Sequence, residues 1–184
     1  MPRPQPCQLL MAAVFSLLMG RAITSGGSEP HGSEHAQQAW MQDHATALAQ
    51  GTELYTLARR SRSAAHLGSA QRLLRRAVAL APGEGADRAE SYFFLGASLA
   101  LGGLRAEAMA AYHGCLVADR RGGGDSSVWH NIGTLHEAGL RHGRAAAAYR
   151  VAAAKAPGGS ERRLLELGAA AKALYAAGAP AAGH

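Results

Sequence analysis

Apolar and small residues recur along most of the chain at steps of three and four, the period of one helix face. The clearest run is Trp129 to Pro157. Trp129, Ile132 and His136 share one face of a first helix. Gly133, without a side chain, lets a neighbouring helix approach closely there. Gly139 and Gly143 bracket a turn. Ala145, Tyr149 and Ala152 then share one face of a second helix, small where helices cross and bulky between. Pro157 stops that helix. The pattern predicts an antiparallel helical hairpin.

The pattern recurs. Tyr92, Leu95, Gly96, Ala108, Tyr112 and Cys115 precede Trp129, Ile132, Gly133, Ala145, Tyr149 and Ala152 by 37 residues each. Leu54, Leu57, Ala58, Ala70, Leu74, Ala77 and Pro82 fit the same register 38 residues earlier, without the glycine. After Pro157, Leu164, Leu167 and Gly168 align with Trp129, Ile132 and Gly133 at a shift of 35, and only one helix comes after it. A lone terminal helix suits the solvating cap that a helical stack needs.

An aromatic, Leu-Gly, an aromatic, Ala, an aromatic, Ala and Pro at these offsets resemble the tetratricopeptide repeat, whose period is about 34 residues. The excess of three fits the insert Gly122-Gly123-Gly124. His136 departs from the Tyr usual at its place, and Gly139 comes one residue early. The resemblance spans 51–177, with repeats at about 51–84, 89–122 and 126–159 and a capping helix over 161–177. It implies an all-α, right-handed helical-hairpin solenoid of about three repeats with flanking helices.

Ahead of the repeats, Trp40, Ala47 and Leu48 give 33–50 a helical stripe, with Ser33 as N-cap, nearly continuous with the helix after Gly51. Residues 23–32, rich in Ser, Gly and Pro, read as a flexible linker, and 178–184 as a tail. The start of the chain changes the picture. Arg3 precedes an uncharged, mostly apolar run from Leu9 to Gly20, too short to span a bilayer and of the length of a signal-peptide core. Cleavage is expected after Ala22, with Gly26 the next choice, placing the chain in the secretory pathway with no membrane span in the mature part. The acid-poor start also admits an organelle-targeting segment.

Few β-branched residues and an aromatic share of 5% argue against a sheet and for close packing of small side chains. Lys155 and Lys172 are the only lysines, so the formal charge of +6 comes from arginine. The arginines are spread out apart from a cluster at Arg59 to Arg76, whose second half has no interleaved aromatics. A solvated face explains them better than a nucleic-acid site.

The chemistry-bearing residues form no recognisable constellation. His130, His136 and His142 are six apart and do not share a face, and no zinc motif occurs. Gly122 to Gly124 lack the Lys-Ser/Thr of a phosphate loop, and Asp125, Ser126 and Ser127 are placed to cap the next helix. Cys115 takes the place of a small helix-crossing residue, where a buried, inert thiol is expected, and Cys7 falls in the leader. No Ser/His/Asp set has a nucleophile's context, so no catalytic residue, metal ligand or cofactor is expected.

What remains is a surface. The first helix of each hairpin in such a stack lines its concave face. By helical geometry the groove residues are Tyr55, Arg59 and Arg62, then Phe93, Phe94, Ala97 and Leu101, then His130, Asn131, Thr134 and Glu137. Tyr92 and Leu95 hold the core face, so at least one of Phe93 and Phe94 should point elsewhere. Of the cationic and amide clamp that some tetratricopeptide domains use for chaperone C-termini, only Asn131 and Arg59 remain, which argues against that partner. The expectation is a non-catalytic protein-interaction scaffold taking a peptide or partner helix. The rival is an accessory domain or fragment of a secretory-pathway enzyme, such as a glycosyltransferase or hydroxylase. A third reading is an RNA or anionic-surface binder using the Arg59 to Arg76 cluster.

Overall fold

A computed structural model of the chain describes the backbone of residues 31–178, apart from 82, 84 and 120–124, and the side chains from 38 onward. The chain divides into units 1–37 and 38–184, and of the first only the backbone of 31–37 is described. The expected leader, most of the linker, the triple-glycine insert and nearly all of the tail lie outside the described residues.

Every regular element among the described residues is a helix: α1 His31–Ser61, α2 Ala64–Leu80, α3 Ala86–Leu101, α4 Arg105–Ala118, α5 Ser126–Ala138, α6 His142–Lys155 and α7 Glu161–Gly178. From α2 onward each helix contacts the next, most extensively in the pairs α3/α4, α5/α6 and α6/α7, and α3 also touches α5. The architecture is all-α and repeat-like.

The second helices carry the repeat most clearly. Ala70, Ala108 and Ala145 are fully buried. So are Leu74, Tyr112 and Tyr149, and Ala77, Cys115 and Ala152, in the registers of 38 and 37 residues. Small residues let the helices approach, and the bulky residue between fills the space so made. The first helix answers with a missing side chain. A Cβ on Gly96 would lie 2.7 Å from the Tyr112 ring, and one on Gly133 would lie 2.5 Å from the Tyr149 ring. These glycines admit the phenol of their own hairpin, rather than the backbone of a neighbouring one. In α1 the same role falls to Gly51, whose Cβ would stand 2.8 Å from Leu74 Cγ.

The turns repeat too. The Leu104 N–H donates to the Leu99 carbonyl at 3.0 Å, and 37 residues on Arg141 N–H donates to His136 O at 2.9 Å. In each turn within a hairpin one residue is left-handed, two positions before the next helix: Arg62 (φ 54°), Gly103 (φ 75°) and Leu140 (φ 56°). Gly143 does not belong to the turn; it lies in the first turn of α6. Asp125 caps α5, its carboxylate accepting from Ser127 N–H at 3.0 Å, while Ser126 is already helical and buried.

Three expectations change. Helix α1 runs unbroken through Gly51 and starts at His31, so the boundary at 50/51 disappears, Ser33 lies within the helix, and His31 and Gly32 leave the linker. Its buried stripe is His44, Ala47, Gly51 and Ala58; Leu54 is half-buried and Leu57 is exposed. In α7 the register is 38, not 35. Glu166, Ala170 and Ala173 are buried where α5 has Val128, Ile132 and Leu135, whereas Leu164 and Leu167 are exposed. Gly168 has nothing within 4 Å of its Cβ position.

Candidate functional site

A groove of about 830 Å³ lies between α1 and the first turns of α3. Met41, Leu48, Leu57 and Phe94 give it an apolar lining. Glu53, Asp87 and Glu90 contribute three carboxylates, and Arg60 one cation. All three acids are solvent-exposed, and no ion pair among the described residues engages them. The unbroken α1 makes the groove long, since lining residues recur at helical steps from Met41 to Arg60.

Phe94 is the one sequence-predicted residue that lines this groove. It is half-buried, with Tyr55 edge-on at 6.5 Å and Phe93 at 5.4 Å. Phe93 turns the other way, to Tyr112 at 6.2 Å. The two phenylalanines therefore divide: one joins the core between α3 and α4, and the other supports the groove floor. Arg59 and Arg62 are exposed and stand outside the lining, because α1 presents Thr52, Thr56, Leu57 and Arg60 on that side. Ala97 is half-buried and Leu101 exposed, and both lie beyond the groove.

The third set is occupied by other work. Burial pushes the Tyr112 hydroxyl well above its ordinary pKa, and the Asn131 side chain facing it acts the other way. Tyr149 donates its hydroxyl to Glu137 Oε2 at 2.8 Å, and Glu137 also meets Lys172 Nζ of α7 at 3.5 Å. The Tyr149 bond is the main cause that holds the Glu137 carboxyl below its usual range. His130 Nδ1 lies 3.0 Å from Oε2 of Glu166, a carboxylate almost wholly withdrawn from solvent, which Arg162 approaches at 3.7 Å. Thr134 is exposed, and its hydroxyl donates to the Asn131 carbonyl. These residues fasten α4, α5, α6 and α7 together rather than lining an open groove. Of the four predicted groove residues on α5, Thr134 is exposed and His130 keeps 40% of its side chain open to solvent, while Asn131 and Glu137 are half-buried.

The remaining chemistry is quiet. Burial pushes the Cys115 thiol up to about 11, so it is a poor nucleophile near neutral pH. His136 is held below its ordinary value by burial first, then by Arg141 and Arg144. Among the described residues no group of three or more His, Cys, Asp or Glu side chains could hold a metal. No described helix is long and apolar enough to cross a membrane. Within the Arg59 to Arg76 cluster, Arg75 pairs with Glu107 at 2.9 Å and Arg76 with Asp43 at 3.7 Å.

Sequence reasoning missed Met41, Leu48 and Leu57 as groove residues. Their signal was the helical stripe that continues across Gly51, which treating 33–50 as a separate helix concealed. No family model matches the chain, and no curated protein matches it.

Proposed function

We propose that the chain is a tetratricopeptide-like helical-hairpin solenoid, right-handed as such stacks are, that acts without catalysis by holding a protein segment in the α1/α3 groove. The observation that carries this reading is the groove itself: about 830 Å³, apolar along its length, with Phe94 supported from behind by Tyr55 and Phe93. An aromatic anchor on a rigid helix beside exposed aliphatic residues suits a helix laid in a groove. The backbone repeat of 37 residues and the Gly96/Tyr112 and Gly133/Tyr149 pairs support the family resemblance. Entry into the secretory pathway belongs to the same proposal and rests on residues 1–22 of the sequence.

A random-peptide display against the full chain tests the groove. Selected peptides should carry bulky apolar residues at helical spacing. Their affinity should fall roughly tenfold or more in a Met41→Glu, Leu57→Glu variant of unchanged helicity. Both positions are solvent-exposed, so the variant keeps its core. Peptides that bind both proteins equally would move the site elsewhere.

A further inference from the structure

Helix α7 has a second apolar face. Leu164, Leu167, Ala171, Leu174 and Tyr175 fall on one stripe by helical spacing, about a third of a turn round from the buried Glu166, Ala170 and Ala173. Leu164 is 67% exposed, Leu174 53% and Tyr175 81%. A terminal helix that served only to solvate the end of a stack would carry polar residues here. Gly168, at one edge of the stripe, has open space over it. In the register of 38 the place of Gly133 falls to Ala171, which is exposed, whereas Gly133 itself receives the Tyr149 ring. The face is built for a helical partner and has none among the described residues.

The charges choose the partner. Arg163 sits on one shoulder of the stripe, four residues before Leu167, and Lys172 on the other, where it stays largely exposed while meeting Glu137 of its own chain at 3.5 Å. Glu161, at the start of α7, is the one acid on its exposed side. The outward side of α7 therefore carries a net positive charge. The α1/α3 groove offers the opposite: an apolar lining with Glu53, Asp87 and Glu90 against a single Arg60. The stripe is also short enough to fit. The stripe from Leu164 to Tyr175 covers about 16 Å of helix, and the lining of α1 from Met41 to Leu57 about 24 Å.

We propose that the open face of α7 docks in the α1/α3 groove of a second copy of this chain, head to tail. The proposal rests on the reading of that groove as a binding site and names its occupant. The contact is heterologous: each molecule keeps a free groove at one end and a free helix at the other, so association continues beyond a pair unless it closes into a ring.

Sedimentation velocity of the full chain tests it, from about 1 to about 300 µM. The wild type should grow in mass with concentration, and less so when salt rises from about 50 to about 500 mM. The groove variant Met41→Glu, Leu57→Glu and a helix variant Leu164→Glu, Tyr175→Glu should each remain monomeric. All four side chains are exposed, so both variants keep the fold, which circular dichroism checks. Mixed in equal amounts, the two variants retain one good groove and one good helix and should form a dimer and nothing larger. A monomeric wild type across the range, self-association of the groove variant, or a mixture that stays monomeric would overturn the proposal. If the wild type is monomeric while displayed peptides still bind the groove, the head-to-tail contact fails and the groove function stands. Loss of both would remove the groove reading itself.

Discussion

Helices α5 and α7 carry the same short signature and use it oppositely. In α5, Gly133 lies against the Tyr149 ring of α6, and Ile132 beside it is buried. In α7, the sequence counterparts Gly168 and Leu167 face outward, and the helix buries Glu166, Ala170 and Ala173 instead. A stripe of apolar residues at helical spacing says that a face wants a partner, and not whether the partner belongs to the same chain. The difference lies in the next element of the chain. After α5 comes a second helix with a Tyr to fill the glycine gap; after α7 the described chain supplies none. Helix α7 therefore binds the stack by its other side, through alanines and one carboxylate, and leaves its consensus face open.

The sharpest way to break this contrast is to fill the gap in α5. Gly133→Ala drives a Cβ into the Tyr149 ring, and the expected loss is about 2 kcal/mol, seen as a fall in Tm of roughly 4–8 °C. Little change would mean that the ring moves aside freely and that the Gly/Tyr match does not define the hairpin.

Next in size is the fastening of α7. Glu166→Ala removes the partner of His130 and Arg162 and should cost about 1.5 kcal/mol, with faster amide exchange confined to α7. Leu164→Ala, on the open side of the same helix, should stay within about 0.5 kcal/mol in dilute solution. Equal effects from the two would mean that the helix has no inner and outer face.

Acid should separate the halves of the α5/α6 hairpin. His136 has a folded pKa below its ordinary 6.5, so the unfolded chain binds more protons. Stability is full above about pH 6.5 and falls as the pH drops toward the folded value. Burial and the nearby Arg141, Arg144 and His113 all act in that direction. Tm should therefore decline between about pH 7.5 and about pH 5.5, and His136→Tyr should flatten that slope. Glu137, depressed by its bond to Tyr149, adds a further loss only at lower pH, as it protonates.

The smallest effects compare turns and glycines. Leu140 is left-handed and 78% exposed, where Gly103 stands in the preceding hairpin. Leu140→Gly should stabilise by about 1 kcal/mol, and Gly103→Leu should do the reverse. Gly168→Ala should gain about 0.5–1 kcal/mol in the monomer, the helix-propensity difference alone, since nothing opposes the added methyl. A loss there would show that α7 has a neighbour even at high dilution.

The second helices were fully legible before the structure, because an alternation of small, large and small at fixed steps has one use in a packed hairpin. Ala70, Leu74 and Ala77 show this even where the first helix of their hairpin lacks the expected glycine. The groove was legible only at Phe94. Its other wall is α1, where Leu57 was assigned to the core by register and in fact faces the opening. Register arguments fail where a helix outruns its repeat: α1 spans 31 residues and has to satisfy two neighbours along its length. His130, Asn131 and Glu137 stand outside that groove and are half-buried. A polar residue beside a core stripe is free for a ligand only if no buried hydroxyl or carboxylate claims it first, and periodicity does not reveal such claims.

The Asn131 side chain that faces the Tyr112 hydroxyl bears on how the chain acquires its shape during synthesis. Tyr149 finds its acceptor, Glu137, in a segment that leaves the ribosome before it. Tyr112 must wait for a residue 19 positions downstream. At translation rates of about 5–20 residues per second, α3 and α4 can close about a second or more before the phenol gains that polar neighbour. Until α5 emerges, the nascent hairpin should breathe at Tyr112, the point where a chaperone or a protease would find it first.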